Sequence, residues 1–193
     1  TGVWENTLLF FFSDNGGPLA QSADNTPLRG GKHTDYEGGV RTPFLVVWPD
    51  RLQPGTSDVV VSSLDVLPTV LAAAGVEAPA DRRSDGIDLI PVLSGAKPSE
   101  PRDLYWSSAE EGGWWAVRSG DWKLVAERDR IELFDLAKDP GESTDLSTTN
   151  PDHVTRLTAL HDAWLAEMAE PVKAGAKKWV SEGSEPDKKV RKK

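Results

Sequence analysis

The sequence predicts an α/β segment followed by a small α+β unit, and three observations carry that prediction. Residues Thr7-Leu8-Leu9-Phe10-Phe11-Phe12 form an apolar run that stops at Ser13-Asp14-Asn15-Gly16-Gly17. An apolar run without polar alternation reads as a central strand covered on both faces, as in a parallel sheet. Past residue 100 the texture changes to alternating, tryptophan-rich strands with tight turns. A single long amphipathic helix then follows, and strands followed by a helix suggest a small α+β unit packed beside the first segment.

The elements follow in order. Residues 13–43 hold Gly and Pro throughout and no helical period, so they form a loop of unusual length, a class that is functional or disordered. Phe44-Leu45-Val46-Val47-Trp48 is a second apolar strand closed by Pro49, and residues 59–62 offer a third, short one. Asp65 to Gly75 reads as a helix: Asp65 caps it, Pro68 lies in the first turn and Gly75 ends it. Residues 76–103 read as a surface connection with a short apolar turn near Ile87–Leu93. Trp114–Arg118 and Trp122–Val125 flank Ser119-Gly120-Asp121 as a hairpin, and Arg130–Leu136 is a further strand. Asn150 and Pro151 open a helix as cap and first residue. Val154, Leu157, Leu160, Trp164, Leu165 and Met168 form its apolar stripe. The expected division is an α/β portion at 1–100, the α+β unit at 101–170 and a basic, flexible tail at 171–193.

Composition limits the function. The 193 residues carry a net charge of −9 and 38% apolar residues, enough for a core. Residues 171–193 hold eight Lys/Arg against three Asp/Glu, so the remaining body carries 14 against 28. An acidic body argues against nucleic-acid binding, and the basic end reads as a solvated terminus. There is no cysteine, hence no disulfide or thiolate metal site. No run of 18 apolar residues exists, so no membrane span is expected. Thr1-Gly2-Val3-Trp4 is neither a start methionine nor a signal peptide, and the chain is expected to begin in mid-domain.

The chemistry concentrates in residues 7–43, just past the end of a strand, where open α/β sheets place their sites. Asp14 and Asn15 offer a carboxylate and an amide oxygen to a hard cation, calcium or magnesium, which demands more ligands than these two. The same residues suit an Asx-type turn. Lys32, after Gly30-Gly31, can place one charge and flexible backbone N–H groups on a tetrahedral oxyanion, or simply end a turn. Arg29 reads as a structural ion-pair partner. Glu37 and Arg41 read as paired scaffold, because charges entering a buried strand need partners. His33, beside Lys32, can reach a substrate; His153 and His161 read as surface or interface residues of the last helix. The tryptophans can line a carbohydrate or aryl pocket but read first as core.

In combination and order these segments resemble the C-terminal half of a sulfatase of the arylsulfatase type, in the alkaline-phosphatase superfamily. The resemblance rests on Phe12–Gly17, Pro27–Lys32, Tyr36–Pro43, Ser63–Thr69, Glu132–Leu136 and Asp139–Glu142 with Asp145-Leu146, and covers roughly residues 5–168. It implies part of the family's sheet followed by its small C-terminal subdomain. It implies Asp14 and Asn15 as ligands of the active-site calcium and Lys32 as a contact of the sulfate group. It also implies a periplasmic or extracellular setting. The family's formylglycine nucleophile arises from a Cys/Ser-x-Pro/Ala-x-Arg motif, usually upstream of these segments. Ser99-Glu100-Pro101-Arg102 places its arginine one position early and is read as a chance match. The expectation is therefore a sulfate-ester-binding portion, inactive alone, that pairs with a missing N-terminal half or self-associates through a sheet edge. The alternatives are a phosphate or phosphonate ester hydrolase of the same superfamily, marked by an upstream Thr or Ser nucleophile, and a non-catalytic scaffold indifferent to calcium.

Overall fold

The computed structural model describes residues 2–81, 83–108 and 113–169. The expectation of a flexible basic tail at 171–193 lies outside the described residues. Mixed helix and sheet run in the order β1 (Leu9–Phe12), α1 (Glu37–Val40), β2 (Phe44–Val47), α2 (Val66–Ala73), α3 (Ile90–Leu93), β3 (Asp103–Ser107), β4 (Trp114–Ser119), β5 (Trp122–Glu127), β6 (Arg130–Asp135) and α4 (Pro151–Glu167). No helix among the described residues is long and apolar enough to cross a membrane.

The first strand departs from expectation. Among the described residues β1 pairs antiparallel with β2 alone, in the register Leu9 to Val47 through Phe12 to Phe44. Directly opposed residues share a face, so Leu9, Phe11, Leu45 and Val47 line one side. Phe11 is 66% exposed and Leu45 49%. The all-apolar composition anticipates cover on both faces, and the described residues supply only part of it. The third strand expected at 59–62 is irregular backbone instead.

The helix after it starts differently from its sequence signature. Ser62 caps a 3₁₀ turn at Ser63–Asp65 that leads into α2, its hydroxyl accepting from Leu64 N. The Asp65 side chain does not cap α2. It is fully buried, accepts from Ser62 N and Ile87 N, and takes two bonds from Arg102 at 2.9 and 2.7 Å. Arg102 sits where the two predicted units join, so this ion pair fixes their connection. Gly75, at φ 65°, ends the helix as expected.

β3 to β6 form an antiparallel meander in chain order. The expected hairpin is present, with Ser119 opposite Trp122, and β3 is an additional strand that the polar connection hides. One sheet face presents Val117, Leu124 and Leu133 to Leu157 of α4. The other carries Ala116, Val125 and Phe134, against which Tyr36 and Trp106 pack. The meander is thus a layer between α4 and the long loop that holds the chemistry-bearing residues. In α4, Leu157 is buried and Trp164 stacks on Tyr105 of β3 at 5.1 Å, whereas Leu165 and, just past the helix, Met168 are exposed. Asn150 makes no side-chain cap bond. His161 is buried, stacked on Trp115 at 4.0 Å, and His153 stacks on Trp122 at 3.9 Å.

Candidate functional site

After β1 the chain turns sharply between the strand ends. Ser13 N donates to the Pro43 carbonyl at 3.3 Å, Thr42 Oγ1 donates to the Ser13 carbonyl at 3.0 Å, and Ser13 Oγ donates to the Asn15 carbonyl at 2.8 Å. The turn therefore draws on the Ser13 hydroxyl and makes no use of the Asp14 carboxylate. Asp14 is exposed and enters no ion pair among the described residues. Asn15 donates its Nδ2 to the Gly16 carbonyl at 3.0 Å, which leaves Oδ1 available to a cation.

Lys32 is tied to the same turn through the backbone. Its N–H donates to the Gly17 carbonyl at 3.2 Å. Asn25 organises the loop: its Oδ1 accepts from Gly17 N at 2.9 Å and its Nδ2 donates to the Gly17 and Gly30 carbonyls at 2.9 and 3.1 Å. Sequence reasoning misses Asn25, although an amide offers the donor and acceptor pair that a stretch of irregular backbone requires. The side chains of Lys32 and His33 are exposed, and His33 holds a left-handed φ of 74°. Such backbone is uncommon outside glycine and concentrates at functional sites.

The short helix α1 backs both segments. Gly16 N donates to the Gly39 carbonyl at 2.9 Å and Gly38 N to the Arg29 carbonyl at 2.7 Å. A Cβ on Gly16 would collide with the Gly38 carbonyl oxygen, so only glycine admits this approach. Glu37 is buried and lies 2.8 Å from Lys123, 3.8 Å from Arg118 and 4.0 Å from Arg41, as expected of a paired scaffold residue. Arg29 pairs with Glu132 through both terminal nitrogens, at 3.2 and 3.3 Å, and lies 3.9 Å over the Tyr36 ring. Tyr36 donates its hydroxyl to Glu132. Burial and that hydrogen bond push the phenol up to about 12, so it stays a donor at every physiological pH. Burial also raises the Asp35 carboxyl to about 6, against the pull of Lys123.

A cavity of about 360 Å³ opens here, lined by Asn15, Gly16, Gly17, Asn25 and Arg41 among others. Asp14 and Lys32 lie outside its lining. No cluster of three or more His, Asp or Glu suited to a metal occurs among the described residues. The donor chemistry of Asp14 and Asn15 fits two positions of an oxygen-rich shell, and a complete shell needs donors beyond them.

The family model described as Sulfatase matches residues 1–76. Arylsulfatase A of Bos taurus is 37% identical over 175 residues, covering 75% of this chain and 34% of that protein. The chain belongs to the sulfatase family. Steryl-sulfatase of Mus musculus is 35% identical over 209 residues, covering 87% of this sulfatase chain and 34% of that protein. The crystal structure of Ps i-CgsB superposes with a TM-score of 0.78 at 31% identity, over 87% of this chain and 38% of that one. That protein is also solved in complex with k-i-k-neocarrahexaose. The sulfatase chain described here spans about a third of the length of the curated relatives it matches.

Proposed function

We propose that this chain is the metal- and sulfate-binding portion of a sulfuric ester hydrolase. Asp14 and Asn15 supply two oxygens to a calcium ion, with magnesium the alternative. Lys32 neutralises charge on the sulfate oxygens, and His33, next to it in the chain, contacts the ester. The substrate class is an aryl or carbohydrate sulfate ester, and the setting is periplasmic or extracellular. The observation that supports this reading is the shared anchor at Gly16-Gly17. Lys32 bonds to the Gly17 carbonyl and Asn15 immediately precedes Gly16, while the Asp14 and Lys32 side chains remain exposed. A bound cation would polarise the ester; Lys32 would offset charge on the sulfate oxygens. The formylglycine nucleophile and further metal ligands would come from sequence outside these 193 residues, so the chain alone is expected to be inactive.

Two measurements on the purified chain test this. Calcium chloride should raise its melting temperature slightly, and Asp14→Ala with Asn15→Ala should abolish the rise. Hydrolysis of a chromogenic aryl sulfate should be absent with or without calcium. No calcium effect on the unsubstituted chain would remove the metal role and favour a scaffold. Turnover that disappears in Lys32→Ala would overturn the claim of inactivity.

A further inference from the structure

We infer that Lys123 and Glu142 are positioning residues of the candidate site, forming a buried charge clamp through which the C-terminal meander sets the geometry of the loop; the inference rests on the site reading above. Lys123, on β5, is fully buried on the sheet face that looks toward the loop. Its Nζ lies 2.8 Å from Glu37 Oε1 and 3.0 Å from Glu142 Oε1. Glu142 acts twice, because its Oε2 also accepts from the Glu37 backbone N–H at 2.6 Å. The N–H that opens α1 and the side chain of its first residue are thus held by one lysine–glutamate unit. The contact with Glu142 Oε1 is a close ion pair rather than an aligned hydrogen bond.

The consequence passes along named bonds. Fixing Glu37 fixes Gly38 and Gly39, which bond to Arg29 and Gly16 respectively. Gly16 adjoins Asn15, and Arg29 begins the stretch of backbone leading to Lys32. Metal-binding and sulfate-binding segments therefore share one support, and that support is charged at its base. A second strut runs parallel: Arg29 donates to the Glu142 carbonyl at 3.1 Å and pairs with Glu132. Glu142 holds a left-handed φ of 53° while fully buried. A non-glycine residue persists in such backbone only where its surroundings over-determine it, and here its side chain and carbonyl are both engaged. A buried ion pair is weak evidence of stability but can specify one arrangement over others. That is the property a site assembled from loops requires.

Hydrogen–deuterium exchange on the full 193-residue chain tests the clamp. Glu142→Gln keeps the size of the side chain and an acceptor for Glu37 N while removing its charge; Lys123→Met removes the cation. Exchange in segments 13–17 and 29–41 should quicken by about tenfold in Glu142→Gln, with β4 to β6 unchanged, since local opening and global unfolding are separable. Lys123→Arg should restore protection relative to Lys123→Met. Uniform acceleration across loop and meander would reduce the pair to an ordinary stabilising contact and overturn the inference. Unchanged loop exchange in Glu142→Gln would overturn it as well. Calcium titration of the same samples separates the two readings. An unsubstituted chain that ignores calcium defeats the metal site and leaves the exchange result standing. A chain that binds calcium with unaltered affinity and unaltered loop exchange in Glu142→Gln defeats the clamp alone.

Discussion

Replacing Asp35 with asparagine probes a carboxylate that the fold encloses without pairing. Asp35 is 5% exposed, its Oδ2 has no hydrogen-bond partner among the described residues, and burial raises its pKa from 3.8 to about 6. An acid with a raised folded pKa binds more protons in the native than in the unfolded state between the two values. Its contribution to stability is therefore complete below about 4, declines as the pH rises to about 6, and is flat above. A rise from 3.8 to about 6 corresponds to about 3 kcal/mol. The amide of Asp35→Asn cannot titrate, so the stability of the variant minus that of the wild type should increase by about 3 kcal/mol between about pH 3 and about pH 7. A constant offset from the substitution itself cancels in this pH dependence. Urea unfolding followed by tryptophan emission, in small pH steps, measures the difference. A difference that is constant or that shrinks with rising pH would refute the premise that Asp35 is enclosed and unpaired.

Three further outcomes are expected. Arg102→Met strips the fully buried Asp65 of its cation and should cost about 3–5 kcal/mol in urea unfolding, whereas Arg83→Met, which breaks the exposed pair with Glu167, should cost less than about 1 kcal/mol. Leu157→Ala opens a hole between α4 and the meander, where Leu157 is fully buried, and should lower stability by about 2–5 kcal/mol. The exposed apolar face around Phe11 and Leu45 should drive association. Light scattering should show a smaller mean mass for Phe11→Lys than for the wild type, and a monodisperse wild-type monomer would contradict the idea.

What can be read from the sequence is local. The hairpin of β4 and β5 is legible because Ser119-Gly120-Asp121 interrupts two apolar runs, and α4 because its apolar residues recur at helical spacing. β3 is not, since its short run follows a proline-rich connection and pairs only once β4 is in place. β1 is legible as a strand but not in its pairing, because an apolar run specifies burial and not the direction of its neighbour. At the site, Asp14, Asn15 and Lys32 are visible as residue types with suitable chemistry. Asn25, Lys123 and Glu142 are not, since Asn25 takes its role from the path of irregular loop backbone around it and the other two from partners far along the chain. Lys123 reads as an ordinary strand lysine until Glu37, 86 positions earlier, is placed beside it. Asp65 reads as a cap because its true partner, Arg102, lies 37 residues on.

The clamp also imposes an order of events on synthesis. Glu37 leaves the ribosome 105 residues before the Glu142 side chain that receives its N–H. At about 5–20 residues per second that interval is roughly 5–20 s. During it, the segments bearing Asp14, Asn15 and Lys32 already exist as polypeptide but lack the charges that seat them. Cation and sulfate ester alike would meet an unfinished surface until the last strand and its following turn emerge. On the proposed reading, competence to bind is a late property of the chain, set by residues that support the site from behind.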